Sequence, residues 1–276
     1  MPLRDLFCLV EAAEDATTAA LDQSLALAGA YGAQASILVA GPKAAAPYTF
    51  INTSMVGSLV KSENEKLRTQ AEKIVAGAQE ALKKSGVTGS IELCLEFFQE
   101  VMLAAKEHAL CSDLTVLGRP GGVVDRSEVL FEEMLFGAAR PVLLAVPGQK
   151  PVENIEKIAL AWDGSSHAAR ALAAALGLFP VKTADVLVVS GEKDLSGIVP
   201  ATKIAAHIER HGVKANVVEL RMDKDVAATI DGHASKAGAD LIVMGGFGRS
   251  RLREFVLGGV TRKLSQTAQT PLLLAH

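Results

Sequence analysis

The sequence predicts an α/β fold of two tandem doubly wound domains, each a five-stranded, mainly parallel sheet with helices on both faces. Three observations lead there. The second half of the chain repeats the first, with the same succession of short β-like runs and alanine-rich helical segments. The runs are almost continuously apolar, as in VLVV, LIVM and LLLA, and strands without alternation belong in a sheet covered on both sides. Between successive runs lies a segment of helical spacing, so right-handed crossovers wind the chain doubly about each sheet.

In the first half, strands are expected at Leu6–Glu11, Ser36–Ala40, Ser90–Phe97, Asp113–Leu117 and Val142–Val146. Helices are expected between them at Thr17–Tyr31, about Ser62–Lys84, Glu100–Leu110 and Val129–Ala139. The second half repeats the order with strands at Lys157–Trp162, Asp185–Ser190, Ala215–Leu220, Asp240–Met244 and Pro271–Ala275. Its helices are expected at Ser166–Leu178, about Gly197–His211, Val226–Lys236 and Gly258–Thr267. Opposite charges recurring at helical spacing in KSENEKLRTQAEK mark an exposed helix face.

The polar, proline-bounded stretch PGQKPVEN, Pro147 to Asn154, reads as a linker and divides the chain into domains 1–150 and 151–276. Residues 41–60 have no counterpart of equal length in the second half and read as an inserted loop.

Composition excludes several functions. The chain has 276 residues, 49% of them hydrophobic, which is ample apolar material for two cores. A formal net charge of -3 offers no long-range attraction to nucleic acid or an anionic membrane. Neither a run of about 20 apolar residues nor a signal-type start occurs, so the expected location is the cytoplasm. Cys8, Cys94 and Cys111 sit in apolar surroundings and read as buried small hydrophobes.

The chemistry-bearing motif follows the apolar run DLIVM. Gly245-Gly246-Phe247-Gly248 comes first, and Gly258 and Gly259 then open the helical segment VTRKLSQTA. Such a loop at the carboxyl end of a parallel strand brings backbone N–H groups, and a helix amino terminus, close to an anion. An isolated Gly-x-x-Gly would be read simply as a tight turn.

The stretch MGGFGRSRLREFVLGGVTRKLSQTAQTPLLLAH resembles the carboxyl-terminal segment of universal stress proteins. Nucleotide-binding members of that family carry Gly-x2-Gly-x9-Gly followed by Ser or Thr. Gly245, Gly248 and Gly258 match the three glycines, and Asp163 in ALAWDGSS matches the acidic residue that contacts the nucleoside. The resemblance therefore implies an ATP-type adenine nucleotide, with Mg²⁺, held by Asp163, Gly245, Gly248, Gly258, Gly259 and Val260. It also implies pairing within the chain between Val142–Val146 and Pro271–Ala275, an internal pseudo-dimer, with a homodimer also open to it.

Two departures stand beside the match. Gly259 replaces the family's Ser or Thr, and a lost hydrogen bond to a charged group costs about 1.5–3 kcal/mol, about ten- to a hundredfold in affinity. Thr261 in the first helical turn, and Arg249, Arg251 and Arg253, are candidates to compensate. In the first half the fourth strand leads into Gly118-Arg119-Pro120-Gly121-Gly122, with Phe131 at the position of the third glycine. The counterpart of Asp163 falls on Ala12, although Glu11, Glu14 and Asp15 leave the register open. The first half thus reads as a degenerate partner domain.

Other side chains read more simply. Trp162 and Phe247 are core aromatics by default, Asp163 can shape the Asp-Gly turn, and Ser165 or Ser166 can cap the next helix. His207 and His211, four apart on a helix, lack further metal ligands around them in the sequence. With no Walker-type Lys-Ser pair and no general base at the loop, a regulatory nucleotide-binding protein with at most weak ATP hydrolysis is expected. The competing reading is an interaction scaffold that binds no nucleotide.

Overall fold

The structure is a computed structural model, and it describes residues 2–12, 18–45, 54–121, 126–190, 199–246 and 259–276. The expected helix starts at Thr17, Gly197 and Gly258 lie outside these residues. So do Glu14 and Asp15, and Phe247, Gly248, Gly122, Arg249, Arg251 and Arg253 of the glycine loops.

The first half comprises β1 (Asp5–Glu11), α1 (Ala19–Tyr31), β2 (Gln34–Ala40), α2 (Ser54–Ser85), β3 (Gly89–Cys94), α3 (Phe98–Leu110), β4 (Leu114–Leu117), α4 (Arg126–Glu132) and β5 (Val142–Leu144). Helix α4 runs on into a π-helical turn, Glu133–Gly137. The second half comprises β6 (Lys157–Ala161), α5 (Ser166–Leu178), β7 (Thr183–Ser190), α6 (Ala201–Arg210), β8 (Lys214–Arg221), α7 (Val226–Ala237), β9 (Leu241–Gly245), α8 (Gly259–Thr267) and β10 (Leu272–Ala275). Among the described residues the ten strands form one sheet in the order β3-β2-β1-β4-β5-β10-β9-β6-β7-β8. Every pair is parallel except β5 with β10, which is antiparallel and places Leu143 opposite Leu273. The pairing expected within the chain is therefore present, at the centre of the sheet.

The core is two layers, one on each face of this sheet, and each runs through both halves. Helices α1, α2, α5 and α6 cover one face over Leu6, Leu143, Leu160 and Leu273. Helices α3, α4, α7 and α8 cover the other over Phe7, Leu144, Ile242 and Leu272. Central strands β4, β9 and β10 are buried at every residue, which is why their sequences do not alternate. The outer strands β3 and β8 are largely exposed and carry the charges and mixed pattern of sheet edges.

A repeated aspartate sets each half. Asp113 Oδ2 accepts hydrogen bonds from the N–H groups of Arg4 and Asp5 at 2.9 and 3.0 Å. Asp240 Oδ2 does the same for Glu156 and Lys157 at 2.9 and 2.8 Å. Each carboxylate, just before the fourth strand, thus anchors the start of the first strand beside it, and satisfies donors the ladder leaves over.

Several local expectations are corrected. Part of the segment taken as an inserted loop is helix, because α2 begins at Ser54; Val56, Val60, Asn64 and Leu67 keep helical spacing through Gly57, which masked it. The third strand stops at Cys94 rather than Phe97, and Phe97 is the exposed residue preceding α3. Of the cysteines only Cys8 is buried, and burial pushes its thiol up to about 12. Cys94 lies half-buried on the edge strand, and Cys111 is exposed past the end of α3.

The segment between the halves is docked rather than free. The Gln23 side chain donates to Val152 O at 2.7 Å and accepts from Val152 N at 3.0 Å. Ile155 N donates to the Tyr31 hydroxyl at 2.9 Å, and Ile155 itself is buried. Both ties reach back to α1.

Candidate functional site

In each half the first and fourth strands are neighbours whose crossovers leave in opposite directions. The carboxyl ends of such a pair form a topological switch point, where open α/β sheets bind ligands. In the second half the pair is β6 and β9. The sequence-predicted residues Asp163 and Gly245 stand at the ends of these two strands.

Asp163 follows Trp162 and enters a turn in which Gly164 takes a φ of 74°, a conformation glycine adopts without strain. Its Oδ1 accepts from Ser165 N at 2.9 Å, and Ser165 Oγ accepts from Ala168 N at 3.1 Å, capping α5. The carboxylate therefore shapes the turn and sits, half-buried, at the amino end of a helix. Trp162 is core, 6% exposed, and its indole N–H donates to Val199 O at 2.9 Å just before α6.

Gly245 is buried against the first turn of α5. A Cβ there would lie 2.7 Å from Ala168 N and 2.7 Å from His167 Cβ, so a side chain would collide with helix backbone. The glycine lets β9 and α5 approach closely, a demand independent of any ligand. Gly246 N donates to Ala275 O at 2.9 Å, and a Cβ on this glycine would meet the Leu135 side chain of the first half at 2.7 Å. The glycine loop thus starts in contact with the other half of the molecule.

Beyond the loop, Gly259 is the exposed first residue of α8, with no described residue within 4 Å of the place a Cβ would take. Val260 is half-buried and packs on the core layer beneath. Thr261 is buried, 2% exposed, which removes it as a surface replacement for the hydroxyl that Gly259 lacks. The expected ligand-binding residues Gly248 and Gly258 lie outside the described residues.

Sequence reasoning missed an aromatic cluster beside this site. The His167 and His276 rings lie 4.6 Å apart, and Phe136 of the first half meets His276 edge-on at 5.1 Å. Burial, then the Arg170 charge, lowers the pKa of His167, with Asp163 opposing. Burial, then His167 and Arg170, lowers that of His276. His167, one residue after Ser166, was the available signal, but one histidine in an alanine-rich helix carries no pattern.

The structure also resolves the first half's register. Arg4-Asp5 and Glu156-Lys157 are held alike by the paired aspartates, so Glu11, not Ala12, is the counterpart of Asp163. The acid is retained, as the last residue of β1. Val142 follows Leu117 by 25 positions, whereas Leu272 follows Met244 by 28, so the first half's loop is three residues shorter. Counted back from these strands, Glu128 takes the position of Gly258, and Phe131 is the counterpart of Thr261; both of the latter are buried. Arg119 corresponds to Gly246, and its guanidinium donates to Ala268 O of the second half. A bulky cation thus replaces a glycine at the loop's second position.

His207 and His211 lie exposed at the end of α6 with their rings 4.8 Å apart. Among the described residues no three His, Cys, Asp or Glu side chains gather as a metal site, and no helix is long and apolar enough to cross a membrane.

Comparison with known proteins then decides the family. The model of the universal stress protein family matches residues 154–276. The universal stress protein YxiE of Bacillus subtilis is 31% identical over 145 residues, which are 44% of this chain and 98% of that protein. The chain belongs to the universal stress protein family. A universal stress protein from Archaeoglobus fulgidus shares the fold over 98% of this chain and 97% of its own, with a TM-score of 0.68 at 12% identity. A putative universal stress protein from Pseudomonas aeruginosa does so over 99% and 93%, with a TM-score of 0.59 at 15% identity. This universal stress protein thus matches solved structures over both of its halves, and membership supports a role in the response to stress.

Proposed function

We propose that residues 151–276 form a domain that binds ATP or a related adenine nucleotide, with Mg²⁺, as a regulatory rather than a catalytic module. Residues 1–150 form its degenerate partner domain, and the protein works in the cytoplasm. The observation that carries this reading is the placement of Asp163 and Gly245 at the carboxyl ends of the neighbouring strands β6 and β9, a topological switch point. In this reading Asp163 contacts the nucleoside, Gly245 and Gly248 border the phosphates, and Gly258, Gly259 and Val260 offer backbone donors at the start of α8. The chain carries no Walker-type Lys-Ser pair, and in this reading turnover is at most weak. Nucleic acid and membranes are not among the proposed partners.

Titration of nucleotide-stripped protein with ATP and Mg²⁺, beside an Asp163→Ala variant, tests the reading. Saturable binding that weakens in the variant supports it; no binding, together with no nucleotide released on denaturing the purified protein, sinks it.

A second reading, a scaffold acting through protein contacts, is favoured by how much of the molecule joins its halves. The β5–β10 pair, the Gln23 and Tyr31 ties and the buried Glu128 carboxylate facing Arg262 make the internal pseudo-dimer one body. The same titration separates the two.

A further inference from the structure

Helix α2 is 32 residues long, about 48 Å at 1.5 Å per residue, whereas the described part of its counterpart α6 has 10 residues. Its first turns lie over the segments that follow β2 and β3 and border with them an open cavity of about 610 Å³. That volume is within the range of small-molecule sites, about 300–1,000 Å³. The cavity includes none of Glu11, Gly118 or Arg119, so it is separate from the first half's switch point between β1 and β4.

The cavity is built by specific contacts. The Asn64 side chain accepts from Ala44 N at 2.8 Å and donates to Ala44 O at 3.2 Å, locking α2 to the chain leaving β2. Gly41 makes room for Leu67, whose Cδ1 would lie 2.7 Å from a Cβ there. Val60, Leu67 and Leu95 supply apolar lining. Lys43, Lys61 and Arg68 stand around it, with Glu96 2.9 Å from Lys43 and the lining carboxylate Glu65 3.9 Å from Lys61, so three cations meet two carboxylates. This local excess of positive charge occurs on a chain whose net charge is -3.

We propose that this cavity binds a small amphipathic carboxylate, its apolar chain against Val60, Leu67 and Leu95 and its anionic group at Lys61 and Arg68. An aliphatic tail gains by leaving water, and the guanidinium and ammonium groups give the charge-assisted hydrogen bonds that select an anion. The site does not rest on the nucleotide reading.

Calorimetric titration of the full chain with decanoate tests it. One saturable site per chain is expected, undisturbed by ATP and weakened at least about tenfold by Lys61→Glu with Arg68→Glu, as the loss of charged partners requires. Both side chains are exposed, so folding should survive, and circular dichroism checks it. Gly57→Leu is the steric arm: Gly57 lines the cavity, no described residue lies within 4 Å of its Cβ position, and leucine favours a helix over glycine. It should block decanoate while leaving thermal stability equal or higher. Decanol, equally apolar but uncharged, should bind more weakly. No saturable binding at millimolar decanoate, unchanged affinity in the charge-reversed variant, or decanol binding as well as decanoate would each overturn the proposal.

Discussion

Arg262 Nε lies 2.7 Å from Glu128 Oε1, joining the first turns of α8 and α4 across the boundary between the two halves. Glu128 is buried, 6% exposed, while the arginine is nearly half exposed. Removing the arginine leaves a buried carboxylate without its cation. Arg262→Met should therefore lower stability by about 1–3 kcal/mol, less than for a fully buried pair because water reaches the arginine side. Urea unfolding measures this, and pairing Arg262→Met with Glu128→Gln should recover part of the loss.

Gly245→Ala adds one methyl group where α5 backbone stands 2.7 Å away. Overpacking of this kind costs about 1–3 kcal/mol. A lower melting temperature is expected whether or not nucleotide is present, because the clash is with the helix and not with a ligand. An unchanged melting temperature would show that β9 and α5 can separate without cost.

Gly259→Ser is predicted to be tolerated, since no described residue lies within 4 Å of the place its Cβ would take. If the loop before α8 holds phosphate, the new hydroxyl should raise ATP affinity about tenfold or more. Equal affinity in both proteins would mean that the position does not face the nucleotide.

The paired histidines predict a pH effect. Burial lowers the pKa of His167 and of His276 in the folded protein, so the unfolded chain takes up protons first as pH falls. Their contribution is fully present above the unfolded value, about 6.5, and is lost as pH drops through the lower folded values. Arg170 adds like charge to the protonated pair, while Asp163 partly offsets it at His167. Stability should fall as pH drops below about 6.5 and on through the lower folded values, and a His167→Asn, His276→Asn double variant should flatten that slope. A slope identical in both proteins would assign the effect elsewhere.

The thiols should differ sharply. Cys8 is fully buried with a pKa of about 12, and Cys111 is exposed. Since the thiolate is the nucleophile, a disulfide reagent at pH 8 should modify Cys111 rapidly and Cys8 only on unfolding. Peptide mapping after a short exposure distinguishes them.

Much of this molecule was legible in the residues alone. Continuous apolar runs separated by helical spacing determined the buried strands and their parallel character, because period and burial are local properties of the chain, whereas the edge strands β3 and β8 carry a mixed pattern. The repeat exposed the two halves, and the DLIVM-Gly-Gly signature marked the carboxyl end of β9. Strand pairing was less accessible: Val142–Val146 and Pro271–Ala275 could be named as pairing segments only through resemblance to the family, and the partnership of Leu143 with Leu273 needed the fold. Tertiary structure alone decided that Glu11 answers to Asp163, that Gly245 serves the approach of α5, and that Thr261 is buried. It also brought Arg262 to Glu128 and Phe136 to His276. These are relations between residues far apart in the chain, set by strand register and by which helix covers which face, and no window of neighbouring residues records them.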